Sequence, residues 1–162
     1  MTETAQSPRR VASVVASSHW PRAQQQATVT LPYAERHRRR RRMRDDHGHF
    51  FLLDLPQATQ LGAGDGLALV GGGFIEVKAA DEDVLDIACR DAAHASRIAW
   101  HVGNRHTPLQ VLDDGRLRIQ YDHVLADMLT GLGAETARLR APFGPEPGAY
   151  AAQGGHHGHH HE

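Results

Sequence analysis

Residues 81–141, DEDVLDIACRDAAHASRIAWHVGNRHTPLQVLDDGRLRIQYDHVLADMLTGLGAETARLRA, decide the fold. Val84–Ala88 suits a short strand. Ala95, Ile98, Ala99 and Val102 then recur at i, i+3, i+4 and i+7, the spacing of one buried helix face. Gly103-Asn104 is expected to end this helix, since both residues tolerate the left-handed cap conformation. Two strand patterns, Pro108-Leu-Gln-Val-Leu112 and Arg116-Leu-Arg-Ile-Gln120, flank Asp113-Asp114-Gly115, whose Asp-Gly pair favours a tight turn. Asp122 reads as the N-cap of a second helix carrying Val124, Leu125, Met128 and Leu132, with Gly131 or Gly133 closing it. A last strand spans Glu135–Arg140. Strand, helix, strand, strand, helix, strand is the order of the ferredoxin-like βαββαβ unit.

Upstream, the pattern is β. ATVTLPY begins at Ala27; an arginine run follows, then a polar turn at Asp45-Asp46-His47-Gly48 and the apolar stretch His49–Leu55. Leu67–Val70 and Phe74–Val77 flank Gly71-Gly72-Gly73, a second hairpin signal. Residues 1–26, rich in Ser, Ala, Gln and Arg, read as a disordered or weakly structured lead-in. Beyond Ala141 three prolines argue against regular structure, and the chain is expected to continue as an exposed, flexible tail. The expected organisation is therefore α+β: lead-in 1–26, all-β domain 27–80, ferredoxin-like domain 81–141, and tail 142–162.

The composition fits a globular protein: 162 residues, 40% hydrophobic and 23% charged, with a net charge of -1. That balance gives no reason to expect nucleic acid or a membrane as partner. No apolar stretch approaches the roughly 18 to 20 residues that span a bilayer, and the N-terminal residues carry no secretory pattern. The single cysteine, Cys89, can form no intrachain disulfide and no Cys-x-x-Cys pair, which fits a reducing cytoplasm. No Gly-x-Ser-x-Gly, phosphate-binding glycine loop or suitably spaced carboxylate pair supports catalysis.

Histidine is the outlier, with 13 residues. His156, His157, His159, His160 and His161 form a tract whose neutral imidazoles suit nickel, zinc or copper ions. A purification tag would look similar, but the interrupting Gly158 and the closing Glu162 favour a native tract. Such a tail captures ions without fixed geometry. His106 lies at the join between the first helix and the next strand, where a loop can hold a side chain open to solvent; spacing alone leaves it a solvated residue or a ligand. His94 and His101 are two helical turns apart, about 10.5 Å of rise and too far for one ion, and are expected at the surface. His123, beside Asp122, could ligate or merely be exposed. His47 and His49 straddle Gly48 and read as a polar turn or a weak two-histidine site.

The motifs HVGNRHTPLQ (101–110), YDHVLADML (121–129), GLGA (131–134) and PFGPEPGAY (142–150) together resemble the UreE family of urease accessory proteins, nickel metallochaperones. The resemblance runs from about residue 27 to the tail and is densest over 81–150. It implies an N-terminal β domain for binding partners or peptides, and a ferredoxin-like metal-binding domain. It makes His106 a nickel ligand at a homodimer interface, one from each subunit, and His123 a secondary metal position. Tyr121 stands where some relatives have a histidine, which puts a separate His-x-His site in doubt. The function implied is capture of Ni(II) and its delivery for assembly of the urease metallocentre, with Zn(II) or Cu(II) also able to bind in vitro. Because imidazole ligates only when neutral, affinity is expected to fall below about pH 6.5. The competing reading is a histidine-rich nickel store without a delivery partner.

The run Arg36-His37-Arg38-Arg39-Arg40-Arg41-Arg42-Met43-Arg44 remains. By itself it suits a polyanion patch or a solvated strand edge. In a UreE-like protein, Arg38, Arg40 and Arg42 are expected to dock acidic surface on the urease maturation GTPase or the apo-urease complex.

Overall fold

Alternation of apolar and polar side chains organises the first half of the chain, and the computed structural model, which describes residues 9–148, folds that half as a sheet. The chain divides into two compact units, one running to Asp83 and including Arg140–Gly144, the other holding Val84–Leu139 and the chain from Pro145. The fold is mixed α+β, mostly strands, with two sheets and two α-helices among the described residues.

The first unit contains β1 (Arg9–Val15), β2 (Gln25–Leu31), β3 (His37–Arg44), β4 (Phe50–Gln60), β5 (Gly66–Leu69) and β6 (Phe74–Ala79), in the order β2-β6-β5-β1-β4-β3. Inward residues of successive strands, among them Val11, Val29, Phe51, Leu53, Leu67, Ile75 and Val77, make one apolar core. β3 and β4 pair antiparallel across the polar turn at 45–48, where Gly48 takes φ 86°. β4 runs through Pro56 because the β3–β4 register breaks between Arg38 and Arg40, opposite Thr59 and Asp54. Pro56 lies in that gap, where no ladder donor is required.

The reading of residues 1–26 as a lead-in fails from Arg9 onward. β1 is an interior strand, parallel to β4 and antiparallel to β5, with Val11 fully buried. A register shift between Val11 and Ser13 breaks the period-two pattern, so the strand hides in the sequence. Trp20 is buried too: its indole N–H donates to the Gly64 carbonyl at 3.0 Å and its ring stacks on Phe74.

The second unit contains most of β7 (Asp81–Ala88), then α1 (Ala92–Gly103), β8 (Gln110–Val111), β9 (Leu117–Gln120), α2 (His123–Gly131) and most of β10 (Glu135–Pro142). The sheet order is β10-β7-β9-β8. Leu85, Ile87, Ile98, Val102, Leu117, Ile119 and Leu129 form its core. On α1 the predicted stripe faces inward, with Ile98 and Val102 buried. On α2 the stripe is rotated: Leu129 is the buried residue and Val124 is 61% exposed.

The exposed tail does not begin at residue 142. Phe143 is fully buried, its ring edge-on to Tyr33, and its carbonyl accepts a hydrogen bond from the buried guanidinium of Arg36. Further on, the Glu146 N–H donates to the Leu109 carbonyl at 2.8 Å. Proline did end the strand, but aromatic burial anchors the chain that follows. The tail histidines His156, His157, His159, His160 and His161 lie outside the described residues.

Candidate metal centre

Both helices end with the same hydrogen-bond pattern, and the comparison locates His106. After α2, Gly133 (φ 82°) donates its N–H to the Thr130 carbonyl and Ala134 donates to Leu129. This is a Schellman cap, with glycine in the left-handed position that L side chains resist. After α1, the N–H groups of His106 and Thr107 donate to the Gly103 and Val102 carbonyls in the same way. The left-handed position is now His106, at φ 54°, the one non-glycine residue with positive φ among those described. The helix ends at Gly103 with Asn104 as its C-cap, as the sequence predicts, but Asn104 keeps right-handed angles (φ -63°, ψ -18°) and the left-handed residue comes two positions later.

His106 is exposed, and among the described residues its ring makes no hydrogen bond. Its backbone is fixed and its imidazole is open to a ligand. Nearby along the chain, the half-exposed His101 ring stands edge-on to Trp100 at 5.0 Å, and Trp100 is 63% exposed. Among the described residues nothing covers this indole near the helix end.

His94 corrects a sequence expectation. It is buried, not at the surface. Its backbone N–H donates to the capping carboxylate of Asp91, its Nδ1 accepts from the Arg90 N–H at 3.1 Å, and its Nε2 lies 2.9 Å from the Leu132 carbonyl. Since Nδ1 accepts, Nε2 carries the proton and donates. Nε2 ties the start of α1 to the end of α2 and Nδ1 holds the segment before α1, which leaves neither nitrogen for a metal.

His123 is the first residue of α2, exposed, next to Asp122, whose carboxylate caps the helix by accepting from the Leu125 N–H at 2.9 Å. Tyr121 lies under the Arg138 guanidinium at 3.7 Å, so the position two before His123 holds a stacked aromatic ring and not a second imidazole. Burial raises the Cys89 thiol above its ordinary value, which disfavours the thiolate a metal would need. In the first unit, His47 and His49 have their rings 6.4 Å apart and line a cavity of about 350 Å³ with Arg9, Gln26, Ala27 and Asp45. Asp45 is already engaged there, accepting from Arg9 and from the His47 and His49 N–H groups. Among the described residues no three His, Cys, Asp or Glu side chains gather closely enough to hold one ion. Among the described residues, His106 therefore belongs to no three-ligand group.

The arginine run is divided by the register break. Arg38, before it, is half-buried, donates to the His37 carbonyl and has a buried Nε with no hydrogen-bond partner. Arg40 lies 3.6 Å from Asp54, and Arg42 stacks over Phe50. Arg44, in the same run but not among the residues expected to dock, stacks over the same ring.

Two family models match the chain: the N-terminal domain of the UreE urease accessory protein over residues 9–80, and its C-terminal domain over 82–162. This is a class of accessory chaperones, not of enzymes. The chain belongs to the UreE urease accessory protein family. It is 50% identical to the urease accessory protein UreE of Chelativorans sp. (strain BNC1) over 83% of this chain and 84% of the relative. It is 46% identical to that of Beijerinckia indica over 93% and 86%, and 49% identical to that of Rhodopseudomonas palustris (strain HaA2) over 88% of this chain but 65% of the relative's length. Membership implies a role in urease maturation. No helix among the described residues is long and apolar enough to cross a membrane.

Proposed function

We propose that the protein is a cytoplasmic nickel metallochaperone, which captures Ni(II) and hands it to the urease maturation GTPase and the apo-urease complex. The observation that carries this reading is His106, an exposed imidazole with no side-chain partner among the described residues, held on a capped helix end in a conformation that disfavours a side chain. Such strain is kept where a side chain has a task. One imidazole cannot hold an ion against water, so the site is completed by a second copy: two His106 rings across a two-fold axis bind the nickel, and the exposed Trp100 and Val124 supply apolar surface for a homodimer. The shell left incomplete by protein allows ligand exchange, as a carrier requires. Zn(II) or Cu(II) would compete in vitro.

His123 acts as a secondary position, and His156, His157, His159, His160 and His161 raise the local supply of ions. The second unit is read as ferredoxin-like, a reading its sheet order β10-β7-β9-β8 supports. The working division is a β domain for partners over 27–80, extended to Arg9 by β1, and a metal-binding domain over 81–141. Arg40 and Arg42 belong to the partner surface; Arg38, half-buried, contributes less.

A urease activation assay separates delivery from storage. Delivery expects His106→Ala to abolish nickel-dependent activation, while deletion of residues 154–162 only lowers the number of ions bound. If the tail deletion abolishes activation and His106→Ala leaves it intact, the protein is a store.

A further inference from the structure

β3 is the outermost strand of the first unit's sheet, bordered by β4 on one side and by no described strand on the other. Its sequence is HRRRRRMR. Side chains alternate across a strand, and Met43 points into the core, so Arg40, Arg42 and Arg44 lie on the opposite face. Arg10 joins them there, since Arg10 and Arg42 both pair opposite Leu52 from its two sides. Arg10 and Arg40 share the carboxylate of Asp54, at 2.9 and 3.6 Å. Arg42 and Arg44 place their guanidiniums 3.8 and 4.1 Å from the centre of the Phe50 ring, which is itself 41% exposed. Two cations thus share one carboxylate and two more stack on an exposed aromatic ring, on the same face at an open sheet edge.

Positive charge on an edge strand commonly serves to prevent pairing with other chains. That purpose does not explain Phe50, whose exposed ring works against it, nor the gathering of two guanidiniums on one ring. We propose that β3 is a docking strand for an extended acidic polypeptide segment. This rests on the reading that the first unit meets the urease maturation machinery and names the chemistry of the contact. The segment adds to the sheet through the free N–H and C=O groups of β3. Its carboxylates, on alternate residues about 6.6 to 6.8 Å apart, meet Arg40, Arg42 and Arg44, while an apolar side chain covers Phe50. Single-stranded nucleic acid fits less well: binding it takes a row of open rings for successive bases, and the one exposed ring on this face is already stacked with arginine.

The test is fluorescence anisotropy of the full chain with a labelled nine-residue peptide alternating Glu with Thr, a second peptide of the same composition with its Glu residues grouped, and a nine-nucleotide single-stranded DNA. The alternating peptide is expected to bind at least about tenfold more tightly than either. The pair Arg42→Glu and Arg44→Glu should weaken it at least tenfold, and Arg42→Lys with Arg44→Lys only severalfold. An unchanged nickel titration and thermal midpoint establish that these variants are folded. Equal binding of the grouped peptide would reduce the strand to diffuse charge and overturn the proposal, as would tighter binding of the DNA or loss of self-association as the only effect of charge reversal. If charge reversal abolishes peptide binding but leaves urease activation intact, the docking strand stands and its assignment to the urease machinery falls.

Discussion

His106 has two separable properties, its ring and its backbone. Held at φ 54°, any L residue costs about 1 kcal/mol or more against glycine in a left-handed position. His106→Gly should therefore remove the tightest nickel-binding phase while raising folding stability by about 0.5 kcal/mol, after the added freedom of glycine in the unfolded chain is subtracted. His106→Ala should lose the same phase with stability within about 0.5 kcal/mol of the parent. Calorimetric nickel titration and thermal unfolding of both variants check this; a glycine variant less stable than the alanine variant would show that the backbone is not strained. Asp45 supports a second prediction. Burial by itself raises its carboxyl, but hydrogen bonds from Arg9 and from the His49 and His47 N–H groups outweigh this and hold it below the ordinary carboxylate range. A carboxylate lowered in the folded state contributes stability that is fully present above its unfolded value, about 3.9, and is lost as pH falls through the lower folded value. Asp45→Asn should cost about 2 kcal/mol at pH 7 and flatten the acid limb below about pH 4. Denaturant unfolding from pH 7 to pH 3 would count against this if parent and variant lost stability in parallel.

At the scale of elements, the second unit was legible because its signals are local. Each helix carries a 3.6-residue stripe and an Asp N-cap, and Asp113-Asp114-Gly115 fits a short turn in which Gly115 takes φ 84°. The hairpins of the first unit were legible for the same reason. β1 was not, because a bulge breaks its alternation and both its partners, β4 and β5, lie far along the chain. Phe143 escaped because prolines on either side mask an aromatic whose burial depends on Tyr33 and Arg36, more than a hundred residues earlier. His106 was singled out only by the family resemblance, since its spacing left it a solvated residue or a ligand, and its left-handed backbone could not be read because it depends on how α1 ends. The buried role of His94 was hidden for a similar reason: its partner, the Leu132 carbonyl, comes from the other helix. The hidden start of the first unit can be tested at Gly66, on β5, where an added Cβ would lie 2.7 Å from the Trp20 indole. Gly66→Ala must displace a buried ring that also stacks on Phe74. A loss of about 1 to 3 kcal/mol is expected, read from denaturant unfolding by Trp fluorescence. A neutral substitution would mean that Trp20 does not pack on β5.

At the scale of the whole molecule, the absence of any three-ligand cluster among the described residues makes stoichiometry the decisive quantity. If the tight site needs one His106 from each of two chains, it has one ion per dimer, and its strength depends on both rings being present. A storage protein would instead bind ions chain by chain, in proportion to its imidazoles. Mixing separates the two. When the parent chain is mixed with an excess of the His106→Ala variant, exchange turns most parent chains into mixed dimers that carry a single ring. Tight nickel binding at fixed total protein should then fall as the square of the parent fraction: at one part parent to three parts variant, about one sixteenth of dimers keep both rings, against the quarter of tight sites expected of independent chains. The tail histidines are present in both proteins and contribute the same weak phase throughout, so they do not alter the comparison. Competition against a chelator of known nickel affinity, after time for subunit exchange, reads the tight phase directly. A decline linear in parent fraction would place the whole site within one chain and leave the His106 pair without support.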